Sequence, residues 1–136
     1  MSKFLPILFL LMSPLLASEF INQRQDSMQD FNKLMRAATQ SLKNVETEGL
    51  SQIYGDIESI MKTYPTLFRD DSFVGKTKAS KNIIEDRSTF NQIANDASEW
   101  AALAKIAADN NDLETLQQHH QNLYGSCKSC HSRFKN

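Results

Sequence analysis

The chain has 136 residues, with 15 Lys and Arg against 16 Asp and Glu and a formal charge of −1, enough for one domain of ordinary size and no more. That balance leaves no electrostatic footprint for nucleic acid. Gly (4) and Pro (3) are scarce and strand-like alternation is absent. Apolar residues recur at three- and four-residue spacing, so the expected fold is all-α.

Residues 1–18 have the form of a secretory signal peptide: Lys3 gives the positive start, Phe4 to Leu16 is an apolar run broken by Pro6, Ser13 and Pro14, and Ala17-Ser18 offers small residues for cleavage. The run is too short to span a bilayer comfortably, and no cysteine follows it to take a lipid anchor. Cleavage would remove Lys3 and no acid, leaving 14 basic against 16 acidic side chains on a domain over 19–136, a formal charge of −2. No second apolar segment is long enough for a membrane, so stable insertion after cleavage is not expected.

The first helix is expected from about Phe20 to Thr47, with Ile21, Met28, Phe31, Met35, Ala38, Leu42 and Val45 inward, and Gly49 as its C-terminal cap. Between Ile21 and Met28 the inward slot falls to Arg24 or Gln25. An inward charge is costly unless paired; the alternative is a frayed helix end that lets Arg24 reach water. Met28 lies four residues on, on the same face.

The second helix is expected from about Leu50 to Tyr64, with Leu50, Ile53, Tyr54, Ile57, Ile60, Met61 and Tyr64 as its stripe and Pro65 as its stop. Residues 65–80 make a long connection, a length that is often functional. Phe68, Phe73 and Val74 are too apolar for a free tether, so part of the loop should fold over the bundle or over the edge of a bound cofactor. Lys76, Lys78 and Lys81 form a small basic cluster, which suits either a solvated loop or a docking patch for an acidic redox partner.

The third helix is expected from about Lys81 to Ala108, with Ser80 as N-cap. Ile83, Phe90, Ala97 and Ala104 follow a seven-residue repeat, with Arg87, Ala94, Ala101 and Ala108 on a companion track and Trp100 as packing. After the Asp109–Asp112 turn, Asn111 with Glu114 resembles a capping box. The fourth helix then runs to Phe134, with Leu113, Leu116, His120, Leu123, Cys127, Cys130 and Phe134 inward. Four such helices, with short turns at two connections and a long loop between the second and third, read as an antiparallel up-down-up-down four-helix bundle.

The last helix carries Cys127-Lys128-Ser129-Cys130-His131, the C-x-x-C-H spacing of a c-type haem attachment site. On a helix, Cys127 and Cys130 share a face and His131 is the i+4 neighbour of Cys127. One turn thus supplies two thiols to add to the haem vinyl groups and one imidazole for the iron. A redox dithiol would be expected beside a βαβ pattern, which is absent. A closed zinc site needs four ligands, and the remaining histidines, His119 and His120, are best read as surface or seam-edge residues about three turns away. Thiols three apart on a helix are poorly placed for a disulfide. With one haem c bound between the fourth and first helices, a propionate becomes a partner for Arg24. Met28 is then either a sixth iron ligand or apolar packing over the distal face.

With the motif at the C-terminus, Arg24-Gln25 followed by Met28, the Tyr64-Pro65-Thr66-Leu67-Phe68 connection and Asn111-Asp112-Leu113 before the last helix, the chain resembles the cytochrome c′ family over its whole mature length. That family is among the standard examples of four-helix bundles. The resemblance implies haem c held by Cys127 and Cys130, His131 as proximal ligand, Arg24 and Gln25 at a propionate and Met28 at the distal position; Phe90 is read, with Met28 and Phe31, as a wall of a dry distal pocket at the haem. It also implies haem attachment outside the cytoplasm, hence a bacterial periplasmic location, and dimers formed through the first two helices. The family's five-coordinate members close the distal face with an apolar side chain, and its low-spin members ligate through Met. Some five-coordinate members also have Met there, while the Leu67-Phe68 loop looks more like the low-spin branch. Lys135 stands where an Arg is frequent, and the two are not equivalent; Ile84 stands where an aromatic is common.

Two functions follow. The first is a periplasmic electron carrier with iron cycling between ferric and ferrous under His131 and Met28 and serving a redox partner protein. The alternative is a five-coordinate protein binding nitric oxide or carbon monoxide. An enzyme is not expected, because no acid–base pair or nucleophile stands beside Met28, Phe31 and Phe90.

Overall fold

The computed structural model describes residues 14–136; of the expected signal over 1–18, residues 1–13 lie outside that range. The helices are α1 (Pro14–Lys43), α2 (Leu50–Thr63), a short α3 (Asn82–Glu85), α4 (Arg87–Asp109) and α5 (Leu113–Phe134), with a 3-10 turn over Tyr64–Leu67 after α2. The four long helices form the all-α four-helix bundle. Among the described residues no helix is long and apolar enough to cross a membrane.

The apolar stripes meet where their spacing places them. Phe31, Met35 and Ala38 of α1, Leu50, Tyr54 and Ile57 of α2, the alanine ladder Ala94, Ala97, Ala101 and Ala104 of α4, and Leu116 and Leu123 of α5 form one buried cluster. The alanines let α4 approach both α2 and α5 closely. α1 packs on α2, α2 on α4 and α4 on α5; α1 and α5, which would close the ring, barely meet. A second cluster, of Phe68, Phe73, Ile83, Phe90 and Phe134, sits at the end of the bundle where that seam gapes.

Several boundaries differ from the expectation. α1 ends at Lys43, and Val45, expected inward, is 67% exposed. Val45 has φ 58, with Val45 N–H donating to Leu42 O and Glu46 N–H to Ser41 O. That is the Schellman arrangement with Val in the left-handed position usually given to Gly. Gly49, expected as the cap of α1, instead precedes α2 at φ 79. Asn111 repeats the same turn at φ 53 after α4, where Asn tolerates the conformation.

The third helix is broken. Ser80 Oγ does accept from Asn82 N–H, but the chain leaves helical geometry at Asp86 (φ −126, ψ 54), whose carboxylate caps α4 by accepting from Thr89 N–H. The seven-residue register hides the break because Ile83 stays buried on the same track as Phe90. Arg87 of the companion track leaves the seam to pair with Asp70 at 2.9 Å. In the 65–80 loop Phe68 and Phe73 are buried as expected, but Val74 is 77% exposed.

His120, expected at the surface or seam edge as well as on the inward track, is buried. It stands 2.9 Å from Tyr54 Oη through Nδ1 and 3.0 Å from Thr39 Oγ1 through Nε2. Among the described residues Tyr54 Oη has no other partner, so its proton goes to Nδ1 and His120 is the neutral Nε2–H tautomer. Thr39 Oγ1 accepts from Nε2–H and passes its own proton to Met35 O at 2.8 Å. This directed chain of hydrogen bonds ties α1, α2 and α5 together away from the gape. His119 is half-buried and stacks on Trp100.

Candidate functional site

Between α1 and α5 the gape is a cavity of about 680 Å³, within the range of small-molecule and cofactor sites. α5 contributes Cys127, Cys130, His131 and Phe134; α1 contributes Ile21, Arg24, Gln25, Met28 and Phe31; α4 contributes Phe90, Ile93, Ala94 and Ala97. Every site residue read from the sequence (Cys127, Cys130, His131, Arg24, Gln25, Met28 and Phe90) lines this one cavity. Met61, Tyr64, Thr77, Lys78 and Lys135 line it too. The resemblance puts Lys135 near the proximal imidazole, and the apolar residues of the loop put the stretch carrying Thr77 and Lys78 over the bundle or the haem edge, while Met61 and Tyr64 have no place at the site. Met61 and Tyr64 were legible only as the stripe of α2, and nothing in the sequence said that this stripe continues into the cavity wall.

Cys127 and Cys130 are not joined in a disulfide and are half-buried in the wall. Burial raises Cys127, and burial first, then neighbouring Cys127, pushes Cys130 up to about 11. A redox dithiol needs the opposite, a thiolate favoured at neutral pH. Burial first, then Lys135, lowers His131, which favours the neutral imidazole that a metal requires. Among the described residues no group of His, Cys, Asp or Glu is gathered as a metal cage; an iron that brings its own macrocycle needs only axial ligands from the chain.

Arg24 is 4% exposed, so the frayed-end alternative does not hold. Its terminal nitrogens donate to Leu67 O (3.3 Å), Ser72 Oγ (2.8 Å), Ser72 O (2.9 Å) and Thr77 Oγ1 (3.3 Å). The guanidinium also lies over the Phe68 ring at 4.6 Å and Phe73 at 5.5 Å. These partners come from the connecting loop, 43 to 53 residues away, and no sequence pattern announces them. All are neutral. Among the described residues Arg24 has no carboxylate partner, so its charge is buried and uncompensated, and burial lowers its pKa. Gln25 lies at the surface and donates to Lys76 O at 3.1 Å. Tyr64, behind Cys130, is raised to about 12 by burial first and by Cys130 second.

The loop is also strapped to the end of α5. Ala79 forms an antiparallel bridge with Lys135, Ser80 N–H donates to Phe134 O at 2.8 Å, and Asn136 N–H donates to Lys78 O at 2.8 Å. The strap fixes Lys76, Thr77 and Lys78 along the cavity mouth. Gly75, at φ 126, lets the strap turn where an added Cβ would press on Ile21.

The cytochrome c′ family model matches residues 19–135. The chain belongs to the cytochrome c′ family. A curated cytochrome c′ of Rhodospirillum rubrum is 37% identical over 81 residues, covering 58% of this chain and 54% of that one, so the match spans about half of the relative's length. The solved cytochrome c′ of Shewanella frigidimarina has a TM-score of 0.82 at 23% identity, covering 88% of this chain and 96% of its own. That of Thermochromatium tepidum has a TM-score of 0.80 at 18% identity, covering 88% and 95%. These structures carry the fold.

As a cytochrome c′, the chain binds haem c covalently through Cys127 and Cys130. The cavity fits the group on its own terms: two protonated thiols share one wall with an imidazole, apolar side chains face them, and an uncompensated guanidinium sits at one side.

Proposed function

We propose that this cytochrome c′ is an electron carrier of the bacterial periplasm, with His131 as proximal iron ligand and Met28 as the sixth. The observation that carries the reading is that Met28 on α1 and the Cys127–His131 turn on α5 line one cavity from its two unpaired helices. The haem, when bound, supplies an iron that takes up and gives back one electron; the chain supplies the setting. His131 presents a neutral imidazole. Met28 offers a thioether, which raises the potential relative to harder ligands. Phe90, which lines the cavity, would pack against the porphyrin. Arg24 needs an anion, and a propionate is the one a haem brings. Four of its five N–H donors are taken by the loop, so it acts chiefly as a charge. Gln25 holds the strap beside it.

Visible spectra of the ferric and ferrous protein, with and without carbon monoxide, test the reading. A low-spin spectrum unmoved by the gas, turned high-spin by Met28→Ala, is expected. A high-spin parent that shifts with the gas refutes it and supports the second reading, binding of nitric oxide or carbon monoxide at an open distal face. One solved cytochrome c′ at 18% identity is described by a ligand-controlled dimer dissociation, which favours that second reading. Export under residues 1–18, and a homodimer through α1 and α2, belong to the same proposal. Mass spectrometry of the exported protein and sedimentation check them.

A further inference from the structure

The cations of this chain are not spread evenly. From Ser72 to Ile84 there are three lysines, Lys76, Lys78 and Lys81, and no acidic side chain; from Thr115 to Asn136 there are Lys128, Arg133 and Lys135, again with no acidic side chain. The Ala79–Lys135 bridge and the bond from Ser80 N–H to Phe134 O lay these two acid-free stretches side by side. All six cationic side chains are exposed. None has an ion-pair partner among the described residues, whereas Lys33, Lys62, Arg69, Arg87 and Lys105 elsewhere each have one. Lys76, Lys78 and Lys135 line the cavity mouth, and no Asp or Glu lines the cavity at all. The paired propionates of a haem would offset only a minority of this charge. Val74 stands out from the same strap, 77% exposed, an apolar point within a charged rim as at transient interfaces.

We propose that the strap and the end of α5 form the docking face for an acidic redox protein, which approaches the haem over Lys76, Lys78 and Lys135. The proposal rests on the electron-carrier reading of the same cavity. The charge complementarity is local. The chain as a whole is acidic, at −1, so a partner responding to net charge would be repelled, while one responding to this face is attracted. A one-sign rim of this kind steers encounter and orientation more than it adds affinity. An anionic lipid surface fits less well, because the strap is not an amphipathic helix and Val74 alone offers little to embed.

The test uses the full holoprotein and a reduced plant-type ferredoxin, a strongly acidic one-electron donor, in stopped flow. One electron passes from the ferredoxin, which is oxidised, to the ferric haem iron, reduced to ferrous; no proton or atom is exchanged. The bimolecular rate should fall at least about tenfold between low and high salt. The triple variant Lys76→Glu, Lys78→Glu, Lys135→Glu should lower the low-salt rate by a similar factor and reverse the salt dependence. Lys33→Glu, Lys43→Glu, Lys105→Glu, with the same change of net charge, should leave most of the parent's salt slope. A parent rate that rises with salt, or equal loss in both triples, overturns the docking face. So does binding to phosphatidylglycerol vesicles, lost in the first triple, beside a salt-insensitive ferredoxin rate. Spectra with carbon monoxide on the same samples report on the carrier reading separately: a gas-insensitive low-spin parent with salt-insensitive rates refutes the docking face alone.

Discussion

Removing one hydroxyl tests the directed hydrogen-bond chain at the closed end of the bundle. In Tyr54→Phe the apolar ring stays in place, but His120 Nδ1 loses its donor, 2.9 Å away in the parent, and is left as a buried, unsatisfied acceptor. Such a loss costs about 1–3 kcal/mol. Chemical denaturation of the holoprotein at pH 7.5 should show it as a lower midpoint at unchanged slope. The pH dependence gives a sharper test. Burial holds His120 below its ordinary 6.5 in the folded protein, so the unfolded chain takes up a proton first as pH falls. Stability tied to His120 is therefore complete above about 6.5 and is lost as pH drops through the folded value. Without the Tyr54 hydroxyl, Nδ1 has less to lose on protonation, so the folded pKa moves back toward the ordinary value and less stability is lost in acid. The gap between parent and variant should narrow from pH 7.5 to pH 5. Other acids and histidines titrate alike in both proteins and cancel in the difference. A gap that stays constant or widens refutes the reasoning, as does a nitrogen NMR spectrum placing the His120 proton on Nδ1.

Two further perturbations test the two ends of α1. Val45→Gly should stabilise the protein by about 0.5–1 kcal/mol, read as a rise in Tm, because it relieves a left-handed β-branched residue at the end of α1 for more than the added chain entropy costs. Arg24→Ala should destabilise by about 2–4 kcal/mol, since Leu67 O and both oxygens of buried Ser72 lose their donors. It should also speed proteolysis within residues 68–78; an unchanged cleavage rate would show that the loop is held without Arg24.

How much was legible in the sequence depended on the range of the interaction. The Cys127–His131 turn is local, and helical spacing alone placed its side chains on one wall. The stripes through Phe31, Tyr54, Phe90 and Leu123 gave the core for the same reason. The break at Asp86 escaped because a capping carboxylate and an uninterrupted seven-residue register were both present, and the register dominated the reading. Val45 escaped because β-branched residues rarely take a left-handed turn, so propensity pointed to Gly49. Arg24 was legible as an anomaly but not as a solution: its four acceptors lie on a loop whose path no periodicity encodes. His120 is similar, since its partners Thr39 and Tyr54 come from two other helices.

The two polar assemblies that the sequence hid act on the same physical problem from opposite ends. A bundle with a stripe on each of four helices would close completely, and nothing in the alanine ladder of α4 prevents that. α1 and α5 meet instead through the Thr39–His120 bond at one end, and at the other end Arg24 is committed to the loop rather than to α5. A buried guanidinium with only neutral partners makes full collapse there expensive, because closing the gap would bury the charge more deeply with nothing to balance it. The cavity is therefore kept open by electrostatics as well as by shape, and an anionic, largely apolar occupant is what removes both costs at once. Haem c, tethered to α5 by two thioethers, carries its carboxylates on the same molecule as its apolar faces. On this account the apoprotein should be less stable than the holoprotein chiefly through α1 and the loop. Hydrogen exchange on the two forms measures that: protection lost in residues 20–32 and 65–80 with α4 unchanged is expected, and uniform loss across the bundle would refute it.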